Sequence, residues 1–154
     1  MGGGVPIGRI IEIFGPESSG KSTLCLEIIA QFQKQGKIVG YIDTEFSFDP
    51  MYAKALGVDL DSIILAQPNS GEEAFNIALD MIENGVDLLI MDSVAAIVPL
   101  AEQEGSMEDQ QMGAQARLIG KGLRKITGPV AKHNATFLVT NQLRSKIGVM
   151  FGNP

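Results

Sequence analysis

GPESSGKS, residues 15–22, stands between two apolar segments of different periodicity. Before it, Arg9–Gly15 reads RIIEIFG, a short β-branched run ending at glycine, which predicts a buried strand. After it, Lys21–Gln35 carries Leu24, Ile28, Ile29 and Phe32 at helical spacing and stops at Gly36, which predicts a helix. The stretch between them fits G-x-x-x-x-G-K-[ST] in the strand-to-helix setting that this pattern requires. Gly15 and Gly20 allow a tight turn and close backbone approach. Successive N–H groups then face one concavity at a helix N-terminus, where the partial positive charge favours phosphate. Lys21 is long enough to reach the β- and γ-phosphates of a nucleotide, and the Ser22 hydroxyl is a ligand for Mg²⁺.

Working outward, strands and helices alternate. Lys37–Asp43 (KIVGYID), Ser62–Gln67 (SIILAQ), Asp87–Asp92 (DLLIMD) and Thr136–Thr140 (TFLVT) read as further strands. Asp49–Leu56 reads as a short helix closed by Gly57. Ser70 with Glu73 resembles a capping box and opens a helix to about Asn84. Gln111–Ile126 reads as a longer helix interrupted near Gly128-Pro129. Pro99–Gln110, polar with Gly105 in its middle, reads as an irregular loop. LLIMD is apolar on both faces, as strands inside a covered parallel sheet are. The expectation is an α/β domain with a mostly parallel twisted sheet flanked by helices.

A metal-bound triphosphate needs a second anchor. Asp92 ends its strand at the carboxyl end, where ligands collect in open α/β sheets, and can hold Mg²⁺ directly or through water. Glu45, in IDTE, follows the second strand at the same end. It is read equally well as a carboxylate that orients a hydrolytic water or as a solvated strand-end acid. Tyr52, taken alone, reads as a half-buried packing residue. Cys25 is the sole cysteine and sits among Leu24, Leu26 and Ile28, so it reads as core rather than redox chemistry.

The 154 residues are enough for one core, and 45% apolar with 19% charged is ordinary for a globular domain. No apolar run is long enough to span a bilayer, and MGGGVPIGR lacks the form of a secretory signal, so no membrane partner and a cytoplasmic location are expected. The net charge of −6 hides an asymmetry. Residues 1–109 hold five basic residues against all eighteen acids, a net −13, whereas residues 110–154 hold seven basic residues and no acid. Such a block is either a local anion-binding surface or a solvated helix face paired with acids elsewhere.

Four blocks in order, GPESSGKS, IDTE…DPMYAKALGV, LLIMDSVAA and TNQLRSKIGVMFGNP, together with the opening GGGVPIGRIIEI, closely resemble the bacterial RecA recombinases over essentially the whole chain. KIGVMFGNP is the most specific of these. The resemblance implies a RecA-like P-loop NTPase core over residues 1–154, with the family's N-terminal oligomerisation segment and C-terminal part absent. It implies a DNA-dependent ATPase of homologous recombination and DNA repair that binds ATP and Mg²⁺. It further implies filaments on single-stranded DNA, pairing with a homologous duplex, strand exchange, and engagement of the SOS repressor.

Carried over by position, Gly15, Pro16, Glu17, Ser18, Ser19, Gly20, Lys21, Ser22 and Thr23 would hold the phosphates. Glu45 would be the catalytic carboxylate, with Lys21 and Gln142 as catalytic partners. Tyr52 would stack on adenine with Asp49 nearby, and Ser22 and Asp92 would face the metal. Gln142 would sense the γ-phosphate and pass its state to the adjoining second DNA loop. Glu102–Met112 matches the first DNA loop, and Met112, Arg117, Arg124, Arg144 and Lys146 fall at DNA-facing or interface positions. Two departures stand out. Phe46-Ser47-Phe48 replaces the commoner HAL before Asp49, and the first loop, EQEGSMEDQQMG, is more acidic than a DNA surface suggests. The alternatives are a nucleotide-binding module that modulates a full-length recombinase without turnover, or a RecA-like ATPase with other DNA work.

Overall fold

A computed structural model describes residues 4–16, 20–97 and 108–142. Five strands, β1 (Ile10–Gly15), β2 (Val39–Asp43), β3 (Ile63–Ala66), β4 (Leu88–Asp92) and β5 (Thr136–Gln142), form one sheet in the order β1-β5-β4-β2-β3. Every neighbouring pair is parallel. All carboxyl ends therefore lie along one edge. The register sets Asp43 beside Asp92 and Gly15 beside Gln142, so residues far apart in sequence share that edge.

Side chains alternate across the sheet, and each face has its own core. Leu89, Met91, Ile42, Phe137 and Val139 point to one side, under α3 (Gly71–Glu83) and α4 (Glu108–Lys132). Leu88, Ile90, Val39, Tyr41 and Leu138 point to the other, under α1 (Lys21–Lys34) and α2 (Pro50–Ala55). All five residues of β2 and of β4 are buried, which accounts for their nearly uninterrupted apolar sequences. α3 begins as the capping pattern predicts. The Ser70 side chain accepts from the Glu73 N–H at 3.1 Å, and the Glu73 carboxylate accepts from the Asn69 N–H at 2.9 Å. α3 and α4 approach closely because Gly122 has no side chain: a Cβ there would sit 2.5 Å from the Phe75 ring.

Two expectations need correction. α4 is not interrupted at Gly128-Pro129; it runs from Glu108 to Lys132 with Pro129 inside it. Proline removes one helical hydrogen bond. Ile126 and Val130, both 1% exposed, are anchored in the core on either side of that defect, and their packing outweighs the lost bond. The expected loop Pro99–Gln110 ends earlier than predicted, since Glu108–Gln110 already belong to α4, as does Met112; residues 98–107 lie outside the described residues. Two features were not anticipated. A 3-10 turn, Val94–Ala96, follows β4, and β5 continues two residues past Thr140 to Gln142. No described helix is long and apolar enough to cross a membrane.

Candidate functional site

β1 delivers Gly15 and Pro16 to the carboxyl edge, and α1 starts just beyond. Gly20 takes φ 88°, a left-handed conformation suited to glycine, and its carbonyl accepts from the Leu24 N–H at 2.9 Å. The first turn of α1 has neither a side-chain cap nor an acidic residue, so its N–H groups and partial positive charge are not answered from within the helix. The Lys21 ammonium donates to the Gly15 and Pro16 carbonyls, both at 2.7 Å. A cation is thereby held over the end of β1. Glu17, Ser18 and Ser19 lie outside the described residues.

Asp92, at the end of β4, is 4% exposed. Three hydroxyls from three other elements donate to it. Ser22 of α1 reaches Oδ2 at 2.8 Å, Tyr41 of β2 reaches the same oxygen at 2.6 Å, and Thr140 of β5 reaches Oδ1 at 2.7 Å. A buried carboxylate must have such partners. Burial and the Asp92 charge both push the Tyr41 phenol well above its ordinary range, so it remains a donor. Cys25 is fully buried beside this group; burial first, then Asp92, push its thiol up to about 12, with Lys21 opposing. The expectation that Cys25 is a core residue is borne out.

The loop after β2 is tied down from both sides. Asp43, fully buried, accepts from the Ser47 and Phe48 N–H groups at 3.1 and 2.9 Å and from the Gln67 amide at 3.1 Å. The Thr44 hydroxyl donates to the Ser93 carbonyl at 2.6 Å and accepts from the Ser93 N–H at 2.7 Å. The Thr44 N–H donates to the Asp92 carbonyl at 3.0 Å. Glu45 is thus carried by a turn fixed to β4. It is exposed, and its Oε1 accepts from the Gln142 amide at 3.3 Å across 97 residues of sequence. The replaced positions have separate fates: Phe48 packs against Tyr41 with ring centroids 5.2 Å apart, while Phe46 is 59% exposed.

Asp49 caps α2, accepting from the Tyr52 N–H at 3.1 Å. Tyr52 is 43% exposed, and its hydroxyl lies 2.8 Å from Thr23 Oγ1. That contact brings α2 to the start of α1. Lys21, Ser22, Thr23, Glu45, Asp49, Tyr52, Asp92 and Gln142 therefore belong to one connected edge. Arg117 and Arg124 belong to a different surface, the exposed side of α4, where they share a stripe with Lys121 and Lys125 at helical spacing. Arg144 and Lys146 lie outside the described residues.

Sequence reasoning did not single out Tyr41, Thr140, Asp43 or Thr44. The available signal was a hydroxyl inside an otherwise apolar strand, VGYID or TFLVT, near a strand-end acid.

The donors suit a hard cation. Ser22 and Asp92 offer oxygen ligands, and among the described residues there is no group of three or more His, Cys, Asp or Glu that could form an all-protein cage. Mg²⁺ is commonly held by only one or two protein oxygens together with substrate phosphates.

Comparison with known proteins agrees with this architecture. The RecA N-terminal domain family matches residues 1–154. Protein RecA of Fusobacterium nucleatum is 58% identical over 151 residues, covering 97% of this chain and 40% of that protein. Protein RecA 2 of Myxococcus xanthus is 58% identical over 153 residues, 99% of this chain and 43% of that protein. Protein RecA of Thermotoga neapolitana is 57% identical over 153 residues, 99% of this chain and 44% of that protein. The chain thus spans less than half the length of these relatives, and on the strength of the family match it belongs to the RecA N-terminal domain family.

Proposed function

We propose that this chain is the P-loop ATP- and Mg²⁺-binding core of a DNA-dependent ATPase that acts in homologous recombination and DNA repair. The observation that carries the reading is the shared edge on which Lys21, the Ser22–Asp92 pair and the Glu45–Gln142 pair meet. The residues from Gly15 to Thr23 cradle the phosphates, and Lys21 exchanges its two backbone carbonyls for phosphate oxygens. Ser22 and Asp92 hold Mg²⁺, which when bound neutralises the charge on the transferring phosphate. Glu45 orients a water in line with the γ-phosphorus and accepts its proton. Gln142 changes partner from Glu45 to the γ-phosphate, and its movement is felt by the residues that follow it. Tyr52 offers a half-exposed aromatic face for the adenine, and Asp49 fixes the helix that presents it.

In the same reading the basic stripe of α4, with Arg117 and Arg124, faces single-stranded DNA together with Met112, Arg144 and Lys146. Contacts of this kind go to phosphates, so binding is sequence-independent and weakens steeply with salt. Filament formation, pairing with a homologous duplex and engagement of the SOS repressor belong to the protein that carries this core, in the cytoplasm.

The test is binding of a fluorescent ATP analogue with and without Mg²⁺. The unaltered chain binds in a Mg²⁺-dependent manner, and Lys21→Ala reduces affinity by roughly a hundredfold, the loss of about two charge-assisted contacts. Equal binding by Lys21→Ala would overturn the assignment of the phosphate site. In the longer protein, Glu45→Gln retains nucleotide binding and loses DNA-stimulated hydrolysis; undiminished turnover would remove Glu45 from the mechanism.

A further inference from the structure

We propose that Tyr41 is a positioning residue for the metal side of this site: its hydroxyl locks the Asp92 carboxylate in the orientation from which Ser22 receives a divalent cation. The inference rests on the Mg²⁺-nucleotide reading given above and assigns a residue that the reading itself does not require.

Tyr41 lies in the middle of β2 and is 2% exposed. Packing alone would accept a phenyl ring there, since its neighbours are Phe48 and an aliphatic cluster. The hydroxyl is the part that packing does not explain. A buried phenol needs an acceptor, and this one is a carboxylate oxygen 2.6 Å away. It is the same oxygen, Oδ2, that accepts from Ser22. Thr140 holds the other oxygen. With both oxygens engaged by buried donors, the carboxylate cannot turn about its terminal bond without breaking at least one hydrogen bond.

The arrangement is asymmetric. Tyr41 and Thr140 are buried donors that come from within the sheet. Ser22 is exposed and comes from the first turn of α1. A serine that gives its proton to Asp92 keeps both oxygen lone pairs free for a cation. Tyr41 also fills the second acceptor direction of Oδ2, which leaves unused acceptor capacity on Oδ1 alone. The outcome is one defined way for the pair to meet a hydrated Mg²⁺, fixed from beneath by a residue that never touches the metal. Partners that orient a metal ligand commonly tune cation affinity by roughly ten- to a hundredfold.

The test is a Mg²⁺ titration of fluorescent ATP-analogue binding in the unaltered chain and in Tyr41→Phe, which keeps the ring and removes only the hydroxyl. The midpoint in Mg²⁺ is expected to rise roughly tenfold, while nucleotide affinity at saturating Mg²⁺ stays within about twofold of the parent. In an Asp92→Asn background the Tyr41→Phe change should have no further effect on the midpoint, because Tyr41 acts through Asp92. An unchanged midpoint in folded Tyr41→Phe, a uniform loss at every Mg²⁺ level, or an undiminished effect in the Asp92→Asn background would each overturn the proposal. A second measurement avoids altering Tyr41. The chain has two tyrosines, so a ¹³Cζ-tyrosine label in the unaltered chain gives two signals, and the one shielded from a soluble paramagnetic agent is that of the buried Tyr41. That signal should change as Mg²⁺ is added in the presence of nucleotide, and a flat response would count against the proposal even if Tyr41→Phe failed to fold. A parent chain without Mg²⁺-dependent binding would remove the nucleotide reading and this inference together, whereas Mg²⁺-dependent binding that is insensitive to Tyr41 would remove the inference alone.

Discussion

Beneath α3 and α4 the sheet buries aliphatic, thioether and phenyl side chains, whereas beneath α1 the same strands bury a phenol and face a helix that contributes a thiol. The first face has glycines where a helix presses close, Gly122 against Phe75 and Gly40 against Met81. The second has Tyr41 and Cys25 within the electrostatic reach of Asp92. One face therefore contributes mostly packing. The other packs as well, but its contents respond to charge, and it borders the residues proposed to bind nucleotide. The difference shows how a parallel sheet can divide its work between its two sides while one row of strand ends serves the site.

The comparison can be broken by substitutions on either face. The largest stability effect is expected for Phe137→Ala. Phe137 is a fully buried side chain beneath α3 and α4, so about 3–5 kcal/mol should be lost in chemical denaturation. The pH dependence of stability should stay as in the parent; an altered alkaline slope would blur the distinction between the faces. Gly122→Ala comes next. Its added methyl must displace the Phe75 ring, at a cost of about 1–3 kcal/mol, and a neutral result would show that α3 and α4 separate easily.

The other face is probed by alkali. The Cys25 thiol ordinarily ionises at 9.0 and in the fold at about 12, through burial first and the Asp92 charge second. Above pH 9.0 the unfolded chain therefore releases a proton that the folded chain keeps. The unfolded state then binds fewer protons, so stability falls as pH rises, and the loss stops growing once the folded thiol ionises too. Tyr41 is shifted in the same direction and adds to the fall above its ordinary value of 10.0. Cys25→Ala should remove about 1.4 kcal/mol of the parent's loss between about pH 8 and pH 10, read from denaturation curves at each pH. Parallel curves for parent and variant would mean that this face is as indifferent to charge as the other. The smallest effect is expected at the rim of α3, where Ser70→Ala should cost about 1 kcal/mol by freeing the Glu73 N–H, as seen in a lowered melting temperature.

Much of the architecture was legible because its signals are local. Apolar runs such as LLIMD, the Ser70–Glu73 cap and the stop at Gly36 each act within a few residues, and the corresponding elements formed within a residue or two of expectation. The strand-to-helix setting of Gly15 and Lys21 and the strand-end position of Asp92 were legible for the same reason. What was missed depends on distance. Nothing near Pro129 says that Ile126 and Val130 will be held by the core strongly enough to carry a helix past it. Asp92 meets Tyr41 and Thr140 across 51 and 48 residues, and Glu45 meets Gln142 across 97. Those pairings follow from strand order, which no short window contains. The extension of β5 to Gln142 has the same origin, because it is the register with β1 that draws those residues into the sheet.

Strand order also sets a timetable. Of the five described strands β1 is made before the others, yet its described partner is β5, with Ile10 opposite Phe137, 127 residues later. During synthesis at about 5–20 residues per second, β1 waits on the order of ten seconds for that partner. β2, β3 and β4 can pair among themselves in the meantime, since β4-β2-β3 is a contiguous run of the sheet. The segment that carries Lys21 is hung from β1, so among the described elements the edge proposed to face phosphate is completed only when β5 arrives. A nascent chain halted before β5 would hold the β4-β2-β3 part of its sheet, with Tyr41 able to meet Asp92, but would lack Thr140 and Gln142.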